Sequence, residues 1–165
     1  MSDISFSEFM TARWAPLYRT AYLLTGDPHD AEDLLQSALV RTCARWDRIR
    51  DKRAADGYVR TAMANQLTNR WRRGGREVSR AELPEVGHDG GLGLRADHLA
   101  LWAQVRSLPP RMRAVLVLRY FEDLSVEQTA AELGCSPGAV KSQTHNAIQR
   151  LRAELPEHDL VEELR

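Results

Sequence analysis

Between Leu124 and Leu155 the chain reads LSVEQTAAELGCSPGAVKSQTHNAIQRLRAEL, a stretch that admits little other than two helices around a sharp turn. Ser125 and Gln128 stand three residues apart ahead of an apolar run, the pairing that satisfies two orphan amides at a helix start. Leu133-Gly134-Cys135 ends that run. Ser136 is then an N-cap and Pro137 a first helical residue, where the missing N–H costs nothing and the fixed φ suits the helix. The grammar is that of a helix-turn-helix. Ala130, Ala131 and Leu133 are expected to face Val140, Ile148 and Leu151 across the turn. Lys141, Ser142, His145, Asn146 and Gln149 then lie on the outer side of the second helix, as donors and acceptors for phosphates and base edges in a major groove. The competing reading is a helical hairpin inside an all-α core with a polar solvent face; two caps, a glycine turn and short spacing in one window favour DNA.

Upstream, residues 5–25 carry Phe6, Phe9, Met10, Leu17, Ala21 and Leu24 at helical spacing, with Trp14 and Tyr18 beside them as core candidates. Gly26 stops this helix. Asp27-Pro28 starts another over about residues 28–46, with Asp30 and Glu32 in its favourable first turn and Ala31, Leu34, Leu35, Ala38 and Trp46 turned to a core. The segment DRIRDKRAADG reads as an exposed loop or short helical turn ending at Gly57. A third helix, Tyr58 to Arg73, puts Val59, Ala62, Met63 and Leu67 on one side. Arg60, Asn65, Asn69, Arg70, Arg72 and Arg73 lie on the other, which a solvated face or a nucleic-acid surface would equally produce; Trp71 among the arginines points to the second.

Gly74-Gly75 breaks the third helix, and the glycine-rich segment to Leu94 reads as a flexible linker. The expected architecture is therefore all-α: a helical domain over residues 1–73, a linker over 74–94, a second helical domain over 95–155 and a tail over 156–165. In the second domain Leu99, Trp102, Val105 and Leu108 form a short amphipathic helix that Pro109-Pro110 ends, and Met112 to Phe121 forms the next. The tail, PEHDLVEELR, suggests no function.

Formal net charge is +0, against a wholly basic nucleic-acid binder, yet the charges are segregated. Asp27, Asp30, Glu32 and Asp33 crowd the region before residue 40, whereas residues 41–80 carry about three basic residues for each acidic one. A neutral total can thus hide an acidic protein-docking face and a basic DNA-facing band. No apolar run approaches the roughly 18 residues of a membrane span, and no secretory signal opens the chain, so a cytoplasmic protein is expected. Cys43 and Cys135 lie far apart without histidines at zinc-ligand spacing and read as reduced thiols. No nucleotide loop, metal cluster or nucleophile constellation is present, which argues against an enzyme and against a cofactor.

The words along the chain, as well as their order, resemble the extracytoplasmic-function class of bacterial sigma factors. Asp30-Ala31-Glu32-Asp33-Leu34-Leu35-Gln36 is similar to the core-polymerase-binding motif of region 2. Tyr58-Val59-Arg60 through Asn65 resembles the promoter-melting segment, and Ser107-Leu108-Pro109-Pro110-Arg111-Met112-Arg113 through Arg152 resembles region 4. The Tyr58-Val59-Arg60 wording is similar to an actinobacterial SigE-like branch. The resemblance implies that the chain binds core RNA polymerase, recognises −35 and −10 promoter elements and helps to melt the latter, with an anti-sigma factor as a candidate further partner. It assigns polymerase docking to Asp30, Glu32, Asp33, Leu34 and Gln36, the carboxylates suiting charge-assisted bonds to a basic coiled coil. It assigns DNA contacts to Arg60, Asn65 and Arg70 in region 2 and to Lys141, Ser142, His145 and Asn146 in region 4. Asn65 matches the asparagine associated with the flipped −10 base, in a pocket formed by the Arg48 to Asp56 stretch; an amide offers both donor and acceptor to an unstacked base edge. Other members often carry an aromatic residue or arginine where His145 and Asn146 stand, so the preferred DNA sequence can differ.

Two rival readings use the same features. A stand-alone helix-turn-helix regulator leaves the acidic motif and basic third helix unexplained, and comigration with core polymerase separates it from a sigma factor. A non-DNA-binding regulator of sigma factors predicts no salt-dependent binding to promoter DNA when core enzyme is present.

Overall fold

The computed structural model describes residues 3–73, 96–156 and 160–164; the expected linker lies outside the described residues. Among the described residues the regular structure is helical throughout. Helix α1, Phe6–Thr25, opens on a capping box in which the Ser5 hydroxyl accepts from the Glu8 amide and the Glu8 carboxylate accepts from the Ser5 amide. Those bonds, the backbone one foremost, hold the Glu8 carboxyl below its ordinary 4.5. Gly26 ends α1 at φ 74°, a left-handed cap that a side chain would strain. Helix α2, Pro28–Ala44, starts at once, because the Asp27 side chain accepts from the Asp30 amide and Pro28 fills the first helical position.

Two 3-10 turns, Trp46–Arg48 and Lys52–Ala54, follow α2, the second of the two conformations expected for this segment. Trp46 is buried there, beyond the end of α2, with its ring edge-on to Phe6 at 5.3 Å. Helix α3, Asp56–Arg72, therefore begins before Gly57, which lies in its first turn rather than at the end of a loop. Helices α1, α2 and α3 pack around Leu17, Ala21, Leu24, Leu34, Leu35, Val59, Met63 and Leu67, all buried. The apolar spacing places each of these on an inner stripe.

Helix α4, Ala96–Ser107, is separated by Leu108-Pro109 from α5, Pro110–Leu116. The run expected as one helix to Phe121 is divided: α5 widens into a π-helical turn at Val117–Phe121. Helix α6, Val126–Leu133, has the reciprocal Ser125 and Gln128 capping bonds and ends at Gly134, φ 64°. Helix α7, Pro137–Glu154, starts from Ser136, whose hydroxyl accepts from the Ala139 amide. Ala130 and Leu133 face Val140, Ala147 and Leu151 in the core, but Ala131 is exposed, one position off the inner stripe. The tail is part of the fold: α8, Leu160–Glu163, packs on α4 and α7, with Leu160 and Leu164 buried.

The two groups of helices meet. Arg113, buried on α5, donates through Nε to the Leu24 carbonyl at 2.8 Å and through Nη1 to the Arg106 carbonyl at 3.0 Å. Arg106 donates to the Gly26 carbonyl at 3.1 Å and lies over the Tyr22 ring. Charged donors thus occupy carbonyls left open where α1 ends, the usual need of a helix C-terminus.

Candidate nucleic-acid and protein interfaces

Helix α2 turns two faces to different surroundings. Asp30, Glu32, Asp33 and Gln36 are exposed, whereas Leu34 is 1% exposed and sits in the core. Leu34 therefore cannot touch a partner without unfolding; its place in the motif is to hold the helix so that its neighbours project. One exposed residue of this face escaped the sequence reading. Val40, one turn beyond Gln36, is 69% exposed, a large apolar group at the end of a polar row. Helical spacing from Gln36 was the available signal, but an isolated valine among Leu39 and Arg41 reads equally as core.

Helix α3 and the turns before it form a second surface. A cleft of about 760 Å³ is lined by Arg41 and Arg45 from α2, Ile49 and Ala54 from the 3-10 segment, and Tyr58, Arg60, Thr61 and Asn65 from α3. The exposed Asn65 amide and the Tyr58 ring, 54% exposed, stand at its rim. Tyr58 is the second residue that the residue-by-residue reading left without a role. Arg70 is half-buried further along α3. Trp71 is covered rather than open, because the Arg111 guanidinium from α5 lies 5.2 Å from its ring centroid.

Arg60 is not free. Its Nε donates to Glu132 Oε1 of α6 at 3.1 Å and its Nη1 to Glu122 Oε2 at 3.5 Å, and Glu132 also lines the cleft. The three side chains are only 13–22% exposed. Glu122 is held in turn by the Thr20 hydroxyl of α1. It follows the π-helical turn and precedes Asp123, which takes a left-handed φ of 55° that aspartate tolerates. Burial pushes the Glu132 carboxyl above its ordinary 4.5, Glu122 adds to the rise, and Arg60 and Thr61 oppose it.

The third surface is α7. Lys141, Ser142, His145 and Asn146 are all exposed while Val140, Ala147 and Leu151 are buried, so the helix is fixed by one stripe and offers the other. These four thus share one exposed face of α7.

Sigma-70 region 2 matches residues 12–77 and sigma-70 region 4 matches residues 98–151. Over 95% of its length the chain is 47% identical to the RNA polymerase sigma-E factor of Streptomyces avermitilis, covering 88% of that protein. This chain belongs to the sigma-70 family. It is similar also to the ECF RNA polymerase sigma factor SigE of Mycolicibacterium smegmatis, at 34% identity over 93% of this chain and 63% of that one. The fold superposes on the sigma factor RpoE of Bartonella quintana, solved with the anti-sigma factor NepR, with a TM-score of 0.65 at 24% identity, covering 92% of this chain and 97% of the other. As a sigma factor of the extracytoplasmic-function class, it binds core RNA polymerase and directs promoter-specific transcription initiation. Helices α1 to α3 fall within the region 2 match apart from the first residues of α1, and α5, α6 and α7 as far as Leu151 fall within the region 4 match. No enzymatic family is indicated, and no helix among the described residues is long and apolar enough to cross a membrane.

Proposed function

We propose that the three surfaces divide the work of initiation, with residues 1–73 docking polymerase and engaging the −10 element, residues 95–155 reading the −35 element, and residues 74–94 joining them. The exposed row Asp30, Glu32, Asp33 and Gln36, extended by Val40, meets the polymerase. Lys141, Ser142, His145 and Asn146 enter the major groove of the duplex −35 element. Arg60, Asn65 and Arg70 serve the opened −10 strand, with Asn65 reading an unstacked base. The protein works by binding rather than by covalent chemistry, in the cytoplasm where transcription occurs, and an anti-sigma factor is a further partner.

The observation that carries this reading is the Asn65 cleft. It combines a two-way hydrogen-bonding amide, an exposed aromatic ring and the guanidinium groups of Arg41 and Arg45, which suits a base and its flanking phosphates. Opening duplex DNA costs on the order of 1.4 kcal/mol per base-pair step, so capture of unpaired bases at such a cleft offsets part of the melting. The test is run-off transcription with purified core enzyme on fragments of the host genome. Discrete transcripts that need this chain are expected. Core enzyme that ignores it, or transcripts without a shared upstream element, would overturn the reading.

A further inference from the structure

Thr61 departs from the habit of other helical threonines in this chain. Thr11, Thr42, Thr68 and Thr144 each turn the hydroxyl back to the carbonyl four residues earlier, at 2.7–2.9 Å. That is the usual way for a helical threonine to satisfy its hydroxyl. Thr61 on α3 makes no such bond to Gly57. Its hydroxyl instead faces the Glu132 carboxylate in the wall of the Asn65 cleft, where it favours the charged form. Thr61 is also exposed, so the cleft is where its polar end is presented.

Tyr58, Thr61 and Asn65 follow one another at three and four residues and line the same cleft, so they form one stripe of α3. At the usual helical rise, Thr61 stands about 6 Å along the axis from Asn65 and about 4.5 Å from Tyr58. Bases within a duplex strand rise by only about 3.4 Å per nucleotide. A strand that sets one base at Asn65 and its neighbour at Thr61 therefore has those two bases drawn apart, as an opened strand allows.

We propose that Thr61 is a specificity-determining residue of the −10 contact, selecting a base with a carbonyl at its exposed edge, thymine or guanine, at the nucleotide next to the one read by Asn65. The inference rests on the −10 role given to Asn65. A hydroxyl has both a donor and acceptors. Its surroundings decide for donation here, because the group it faces is a carboxylate, which accepts. A donor in that place meets O4 of thymine or O6 of guanine, whereas cytosine and adenine carry an amino group there, itself a donor. One hydroxyl thus chooses a class of base, while the Asn65 amide, with a donor and an acceptor together, reads its own base more fully.

The test uses holoenzyme assembled from the full chain and purified core enzyme. Anisotropy is read for labelled single strands carrying the −10 region of a promoter found by run-off transcription, each with one base exchanged, thymine for cytosine or guanine for adenine. In the parent, one position should prefer the carbonyl-bearing base about fivefold, the scale of one neutral hydrogen bond. That position should lie next to the one at which Asn65→Ala changes base preference. Thr61→Val, close in shape but without the hydroxyl, should erase the preference, and Thr61→Ser should keep it. A merely structural role would shift affinity for all strands together and leave the ratio where it was.

A preference that survives in Thr61→Val, or that is lost in Thr61→Ser as well, overturns the proposal. So does a parent holoenzyme that shows no such preference beside the Asn65 position. Failure of the underlying reading looks different: Asn65→Ala would leave base preference intact at every position, and the role of Thr61 would fall with it.

Discussion

Asp33 and Leu34 are adjacent in sequence and opposite in surroundings, which makes them a sharp test of how α2 functions. Asp33 is exposed and more than a turn from the helix start, so Asp33→Arg should change stability by no more than about 0.5 kcal/mol. Its effect on docking is larger. A carboxylate that becomes desolvated against a basic partner typically costs 2–5 kcal/mol when its pairing is lost, and reversal adds repulsion. A loss of about 2 kcal/mol or more is therefore expected, which is a fall of about 30-fold in affinity for core enzyme. Leu34 is 1% exposed against α1 and α3. Leu34→Ala should cost about 2–5 kcal/mol of folding stability by the usual transfer and cavity terms. At about 2–4 °C per kcal/mol for a chain of this size, the thermal midpoint should fall by about 4–20 °C. Below that midpoint the folded Leu34→Ala protein should bind core enzyme nearly as well as the parent. The assay pairs thermal melts by circular dichroism with fluorescence titration of core enzyme. Unchanged affinity in Asp33→Arg would remove the acidic row from the docking face. A Leu34→Ala protein with an unchanged melt and weakened docking would put that leucine on the surface and refute the burial argument.

The two DNA surfaces should separate by mutation. Lys141→Ala or Ser142→Ala should weaken duplex −35 binding by about 1–3 kcal/mol, as seen in gel shifts with holoenzyme, if a base contact is lost. Asn65→Ala should leave closed-complex binding intact but reduce permanganate reactivity at the −10 region, with partial rescue on a pre-melted template; a defect confined to duplex affinity would contradict its role. Glu132 gives a pH prediction. Its carboxyl is raised above 4.5 by burial in the folded chain, so its contribution is full below about 4.5 and is lost as pH rises through the folded value. Glu132→Gln should accordingly gain urea stability relative to the parent near neutrality and lose that advantage in acid; a difference independent of pH would refute it. Finally, Leu160→Ala should lower stability by about 2 kcal/mol, the low end for a buried leucine because a short terminal helix can relax; an unchanged melt would mean that α8 does not contribute to the core.

Most of the helices were legible because their ends are marked by local chemistry. Ser5 with Glu8, Asp27-Pro28, Ser125 with Gln128 and Ser136-Pro137 each satisfy orphan amides within three or four residues, so no distant contact is needed to place them. The misreadings fall where distant contacts decide. Trp46 was assigned to the end of α2, but its burial beside Phe6 and Phe9 draws it into a 3-10 turn after the helix. The tail suggested no function, yet Leu160 and Leu164, four residues apart, are buried where α8 packs on α4 and α7. Ala131 illustrates the limit of small residues in periodicity: alanine suits either face, and here it lies outward.

For the functional surfaces, charge and spacing located the acidic row and the outer face of α7, because side chains on one helix share surroundings with neighbours three and four residues away. What they could not supply is which charges are already engaged. Arg60 looks like Arg70 or Arg72 in sequence, an arginine on the polar side of one helix. Its distinction comes from Glu122, 62 residues downstream, and Glu132, 72 residues downstream. Neither acid is marked out by its local sequence, since the partner lies 62 and 72 residues away. Glu122 reaches Arg60 because the chain leaves the π-helical turn through a left-handed Asp123, and Glu132 because the inner stripe of α6 turns that side of the helix to α3. Each acid alone would give Arg60 an ordinary ion pair. The pair, arriving from two elements of the other domain, replaces water around the guanidinium, which sets Arg60 apart from the exposed Arg72 of the same helix.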